Sequence, residues 1–169
     1  MAEDVKEQVL RYLNDAYAVE VGGLSSLKDL AESSTDSDLR QAVTDHIAVT
    51  QSQADRLRAR ILALGGDKSE AKGFLNTIIG KGSDLLNRFH SHEDKMTQDV
   101  IKAYALEHFE VGMYISLKAY ADAVGDLETA QLADTLIGEE QLAGERLGRL
   151  IPQVATAALK NTVATSVGV

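Results

Sequence analysis

Glu107-His108-Phe109-Glu110, with Tyr114 one turn further on, interrupts a long apolar stripe. Steps of three and four through this region give Val100, Ala103 and Glu107, then Glu110 or Val111, then Tyr114, Leu117, Ala121 and Val124. That spacing is one face of an amphipathic helix. The helix is expected from about Glu93 to Val124, where Gly125 supplies a stop. Two carboxylates therefore fall on, or beside, a face that should be buried.

The same reading extends outward in both directions. A first helix runs from about Glu3 to Ala31, with the stripe Val5, Val9, Leu13, Ala16, Glu20, Leu24, Leu27 and Ala31. The Ser33 to Ser37 stretch is loop and N-cap material. A second helix runs from about Asp38 to Leu64 and stops at Gly65-Gly66. Its stripe is Leu39, Val43, His46, Thr50, Gln53, Leu57, Ile61 and Leu64, polar in the middle. The stretch from Lys68 to His92 mixes Gly73, Gly80 and Gly82 with apolar residues and reads as one or two short helices. A fourth helix runs from about Leu127 to Ile151, with Leu132, Leu136, then Glu139 or Glu140, then Ala143, Leu147 and Leu150 inward. Pro152 is expected to end it. This places a bundle domain over residues 1–152 and a C-terminal tail over 153–169.

Short loops join helices one and two, and three and four, so each pair should form an antiparallel hairpin. One long connection joins the pairs. The result is an all-α, ferritin-like four-helix bundle of two hairpins. A weak internal repeat supports it: Ala16-Tyr17-Ala18-Val19-Glu20 is echoed by Ala103-Tyr104-Ala105-Leu106-Glu107, and Asp55-Arg56-Leu57 by Glu145-Arg146-Leu147.

Composition narrows the chemistry. The 169 residues include no Cys, which removes thiol catalysis and Cys-based metal sites. The net charge is −9 and the basic residues are dispersed, which argues against a dedicated nucleic-acid binder. No stretch is apolar enough to span a bilayer, and the acidic N-terminus does not read as a secretory signal. The expectation is a cytoplasmic protein with no membrane or nucleic-acid partner. No phosphate loop or nucleophile elbow is present.

The interrupted stripes are then the informative feature. Burying an unpaired carboxylate costs several kcal/mol or forces its protonation. Glu converging from several helices is most economically explained by a bound cation. Carboxylates with an imidazole suit iron or manganese, and also zinc. The bland alternative is a set of rim residues with their heads in solvent. His90-Ser-His92-Glu93 is weaker still and reads as a solvated loop. His108, beside Glu107, should point off the stripe.

These residues also carry a family resemblance. Leu13-Asn-Asp-Ala-Tyr-Ala-Val-Glu20 resembles the first-helix signature of the YciE/YciF type of ferritin-like stress proteins. Glu107-His-Phe-Glu110 with Tyr114 resembles their third helix, and Leu136-Ile-Gly-Glu-Glu140 their fourth. His46-Ile-Ala-Val-Thr50, with Gln53 and Arg56-Leu57, resembles their second. The resemblance covers about Val5 to Leu150. It implies a two-metal centre, a homodimer and an association with oxidative or general stress. Carried over, it names Glu20, Gln53, Glu107, Glu110, Glu139 and Glu140 as metal ligands. His46, Thr50, Tyr17, Tyr104 and Tyr114 would support them. The chain departs from the family on helix two, where Ala48 and Val49 stand in place of two carboxylates, and on helix four, where no His follows Glu140. Two functions stay open. One is an iron or manganese protein acting with oxygen or peroxide, in a ferroxidase-like or peroxide-consuming reaction. The other is a non-catalytic dimeric interaction or stress-protective bundle without metal.

Overall fold

The computed structural model describes the backbone of residues 2–66 and 94–166, and side chains over 6–66 and 94–160. The short helices expected between Lys68 and His92, and the His90-Ser-His92-Glu93 group, lie outside the described residues.

Four helices make up the described chain: α1 (Ala2–Ser33), α2 (Ser37–Ala63), α3 (Lys95–Val124) and α4 (Leu127–Ser166). Their ends follow from local chemistry. Asp36 caps α2 by accepting hydrogen bonds from the backbone N–H of Asp38 and Leu39, at 3.0 and 2.9 Å. Gly125 closes α3 in the left-handed conformation, with φ 75°. Asp126 then caps α4, accepting from the Thr129 N–H at 3.1 Å and from its hydroxyl at 2.6 Å. The α1–α2 and α3–α4 turns are therefore tight.

Each helix has two neighbours: α1 and α4 both pack on α2 and on α3. Every neighbouring pair is antiparallel. Tyr12 meets Tyr120 while Gly23 faces Leu106 across α1 and α3. Arg60 meets Asp126 while Asp45 meets Arg146 across α2 and α4. As a result α2 ends and α3 begins at opposite ends of the bundle, the connectivity expected of a ferritin-like fold.

The core has two apolar clusters. One holds Val9, Leu13, Ala16, Leu57, Ile61, Tyr114, Leu117, Ala133 and Leu136. The other holds Leu27, Leu30, Leu39, Val43, Val100, Leu147 and Val154. On every helix the polar residues of the stripe fall between the two sets: Glu20, then His46 to Gln53, then Glu107 and Glu110, then Glu140. The acids thus form a layer across the middle of the bundle.

The α3–α4 seam is close because Gly144 and Gly148 carry no side chain. A Cβ on Gly144 would stand 2.9 Å from the His108 ring, and one on Gly148 would stand 3.0 Å from the Tyr104 ring. The α2–α4 seam is instead spanned by polar pairs, from Arg60 with Asp126, Glu128 and Thr129 to Gln153 with Asp36.

The fourth helix corrects the sequence expectation. It does not stop at Pro152 but runs through it to Ser166. Proline removes one N–H and crowds the carbonyl four residues back, which here belongs to Gly148. Val154, 3% exposed, anchors the extension in the second apolar cluster. The surrounding Ala and Leu residues favour continued helix.

Candidate metal centre

Each helix delivers its polar residues to the central layer because they occupy core positions of its stripe. The two choices left open by periodicity resolve inward as Glu110 and Glu140, while Val111 and Glu139 are half-buried. Glu20, Glu107 and Glu140 are each 1% exposed, and Glu110 is 5% exposed. Gln53, Thr50 and His46 complete the α2 contribution, all buried.

Three donors converge. One ligand atom each from His46, Glu107 and Glu140 lie within 4.8 Å of one another. His46 Nε2 is 2.9 Å from Glu107 Oε2 and 3.9 Å from Glu140 Oε2. Despite that spacing, Glu107 Oε2 and Glu140 Oε2 are buried without a hydrogen bond. Ligands about 2.1 Å from a small divalent ion stand at most about 4.2 Å apart across it, so small side-chain shifts would close this set around a cation. Two carboxylates and an imidazole suit iron, manganese or zinc. The orphaned oxygens and the donor set therefore fit the metal that the family resemblance implies.

Around the triad, Tyr114 donates its hydroxyl proton to Glu20. The Gln53 amide donates to Glu140 Oε1 and, at 3.1 Å, to Glu139 Oε2. Thr50 Oγ1 lies 3.4 Å from His46 Nε2. Arg56 holds Glu139 by a two-pronged pair, one prong at 3.1 Å. Glu139 is thus tied to an arginine at the seam rather than grouped with the triad. Tyr17 is half-buried against the first apolar cluster, and Tyr104 stacks beside His108 on the α3–α4 seam. Neither shows a hydrogen bond to the acids among the described contacts. His108 is exposed, with Nδ1 2.9 Å from the Tyr104 carbonyl, off the stripe as its position predicts.

Burial dominates the electrostatics. It pushes Glu20 up to about 8, Glu107 up to about 7 and Glu140 up to about 9. The Glu140 charge adds to the rise at Glu20, and the neighbouring Glu107 carboxylate adds to the rise at Glu140. Burial also raises Glu110, assisted by the charges of Glu20, Glu107 and Glu140. His46 is pushed down by burial, against the pull of Glu140 and Glu20, and is therefore neutral near pH 7. Without a cation the layer holds protons; a cation would replace them.

Of the two α2 positions that lack the family's carboxylates, Ala48 is exposed and Val49 is half-buried, along the helix between His46 and Gln53. Only position 49 borders the polar layer. The α2 donor that sequence reasoning ranked as support, His46, stands in the converging group. Its signal was its place on the apolar stripe.

The model of the family described as a domain of unknown function, DUF892, matches residues 4–160. The chain is a DUF892 protein. Among curated relatives it is 21% identical over 145 residues to Protein YciF of Escherichia coli strain K12, covering 85% of this chain and 87% of that one. The crystal structure of that stress protein superposes with a TM-score of 0.75, over 90% of this chain and 97% of the other, at 19% identity. A protein from Xanthomonas campestris pv. campestris superposes with a TM-score of 0.78, at 22% identity, over 94% of this chain and 98% of that one. Dps from Thermosynechococcus elongatus gives 0.70 at 18% identity, over 89% and 94%. These likenesses establish a YciF-type, ferritin-like fold for this DUF892 protein. No helix among its described residues is long and apolar enough to cross a membrane.

Proposed function

We propose that this protein binds a divalent transition metal, iron or manganese, in the polar layer, with His46, Glu107 and Glu140 as the primary donors and Glu20 and Glu110 beside them. One observation carries the reading. Donors from three helices approach within 4.8 Å, and two of their carboxylate oxygens are buried with no hydrogen bond. Such oxygens are rare in native interiors unless something else satisfies them. When bound, the metal would supply one-electron chemistry with oxygen or peroxide, which connects the site to oxidative stress. The chain's own contribution is to bind and orient: Gln53 fixes Glu140, Tyr114 fixes Glu20, and the apolar clusters keep bulk water from both sides of the layer. The family resemblance adds a cytoplasmic homodimer, which sedimentation of the full chain would test.

The test is metal loading. Protein stripped of metal and reloaded with Fe(II) or Mn(II) should retain about one ion or more per chain. Glu107→Gln combined with Glu140→Gln should lose most of it while remaining folded. Retention below about a tenth of an equivalent by the unaltered chain sinks the proposal.

A second reading has its own support. Val49 and Gln53 leave α2 with no carboxylate in the polar layer, and burial raises Glu20, Glu107 and Glu140 so that the layer holds protons in place of a cation. A metal-free interaction or stress-protective bundle would then result. It predicts that the unaltered chain and the double Gln variant alike retain no metal.

A further inference from the structure

The polar α2–α4 seam has an outer and an inner end at the level of the acids. Outside, Arg56 and Glu139 pair with their side chains 32% and 30% exposed. Inside, Glu140 is 1% exposed. Gln53, fully buried, joins them: its amide nitrogen donates to both carboxylates. Its carbonyl Oε1 is buried and has no hydrogen-bond partner. A carbonyl oxygen without a donor is a ligand type for a hard or borderline cation. From solvent inward, Glu139, the Gln53 carboxamide and Glu140 therefore form a continuous series of polar groups. Along the bundle the apolar clusters fill both sides of the layer, and on the α3–α4 seam Tyr104 and His108 fit against Gly148 and Gly144.

We propose that Glu139 is the entry ligand through which a divalent cation reaches the buried centre, and that Arg56 is the resident cation it must displace. The proposal rests on the metal centre described above. Arg56 covers both Glu139 oxygens. An incoming ion takes Glu139 only when the guanidinium swings out, which its one-third exposure permits. The ion then passes the Gln53 carbonyl to Glu140, and Arg56 returns. Glu139 governs arrival, while His46, Glu107 and Glu140 govern retention.

The test separates rate from stoichiometry. Metal-free, full-length protein is mixed with Co(II) by stopped flow, uptake is followed by visible absorption of the bound ion, and an equilibrium titration is run alongside. Arg56→Gln should speed uptake about tenfold at low salt, and Glu139→Gln should slow it about tenfold, with the final stoichiometry unchanged in both. Arg149→Gln makes the same charge change at an exposed site on α4, where the partner is Glu145. It should leave the rate within about twofold. Equal acceleration by Arg149→Gln and Arg56→Gln would overturn the proposal, since general charge attraction would then explain both. An unchanged rate for Glu139→Gln overturns it too, as does a lowered final stoichiometry, which would make Glu139 a resident ligand. Those results leave the metal centre standing. An unaltered chain that binds no Co(II) removes the centre and the entry route together.

Discussion

Replacing Glu140 by Gln should make the metal-free protein less sensitive to alkali. Glu140 is pushed up to about 9 by burial and by the neighbouring Glu107 carboxylate. In the unfolded chain a Glu titrates near its ordinary value of 4.5. Between pH 7 and 9 the folded state therefore holds a proton that the unfolded state has lost. A raised folded pKa contributes stability that is complete below the unfolded value and fades as pH rises through the folded value. Over this window one such group loses about 2 kcal/mol, from 1.36 kcal/mol per pH unit and half-protonation at the upper limit. The amide introduced by Glu140→Gln binds no proton, so the variant lacks this contribution. Folded His46 is neutral across the window, because its pKa lies below the ordinary 6.5. The assay is urea unfolding followed by far-ultraviolet circular dichroism in the presence of a chelator. The unaltered chain should lose about 2 kcal/mol more than Glu140→Gln from pH 7 to pH 9. Parallel profiles, or a larger loss in the variant, would refute the claim that the acid layer is held protonated. Saturating metal should reverse the trend, because binding expels the same protons and strengthens with pH.

Three further outcomes follow from other contacts. Tyr114→Phe removes the donor to buried Glu20 and should destabilise the metal-free fold by about 1–2 kcal/mol, read in the same urea assay. Arg60→Ala breaks the ties to Thr129, Asp126 and Glu128 at one end of the α2–α4 seam; a loss of about 1–3 kcal/mol is expected, seen as a lower urea midpoint. Gly144→Val would drive a side chain into the His108 ring and should cost about 1–3 kcal/mol, whereas the same change at half-buried Gly138, which has nothing within 4 Å of a built Cβ, should cost less.

Most of the fold was legible because helix periodicity and caps are local. The stripes of α1 and α2 are buried wherever their side chains are described, apart from half-buried Ala31 and Leu64. Pro152 misled because a breaker in isolation was weighed without Val154, whose docking depends on distant residues of α1, α2 and α3. Of the candidate site, the level of the acids was readable but not their roles. Glu139 and Glu140 are adjacent in sequence, and only the partner helix shows that Arg56 claims the first and Gln53 bridges to the second. Tyr17 and Tyr104 occupy matching repeat positions, yet both pack away from the acids. Tyr114, one turn beyond Glu110, reaches Glu20 on another helix. Cross-helix partnership of this kind leaves no mark in a single sequence.

The repeat bears on how such a site can arise. Glu20 and Glu107 stand 87 positions apart, and so do Gln53 and Glu140, which touch each other across the α2–α4 seam. The described chain thus has the form of two similar hairpins. Had the hairpins been separate, identical chains related by a twofold axis, every donor would have been supplied twice, with identical residues meeting at the axis. Two carboxylates facing there would have repelled each other, and any substitution would have struck both. Fusion lifts that constraint. Here Gln on one hairpin faces Glu on the other, and the pair makes a hydrogen bond where two carboxylates would repel. The joined chain can therefore evolve an asymmetric centre that a dimer of hairpins could not encode.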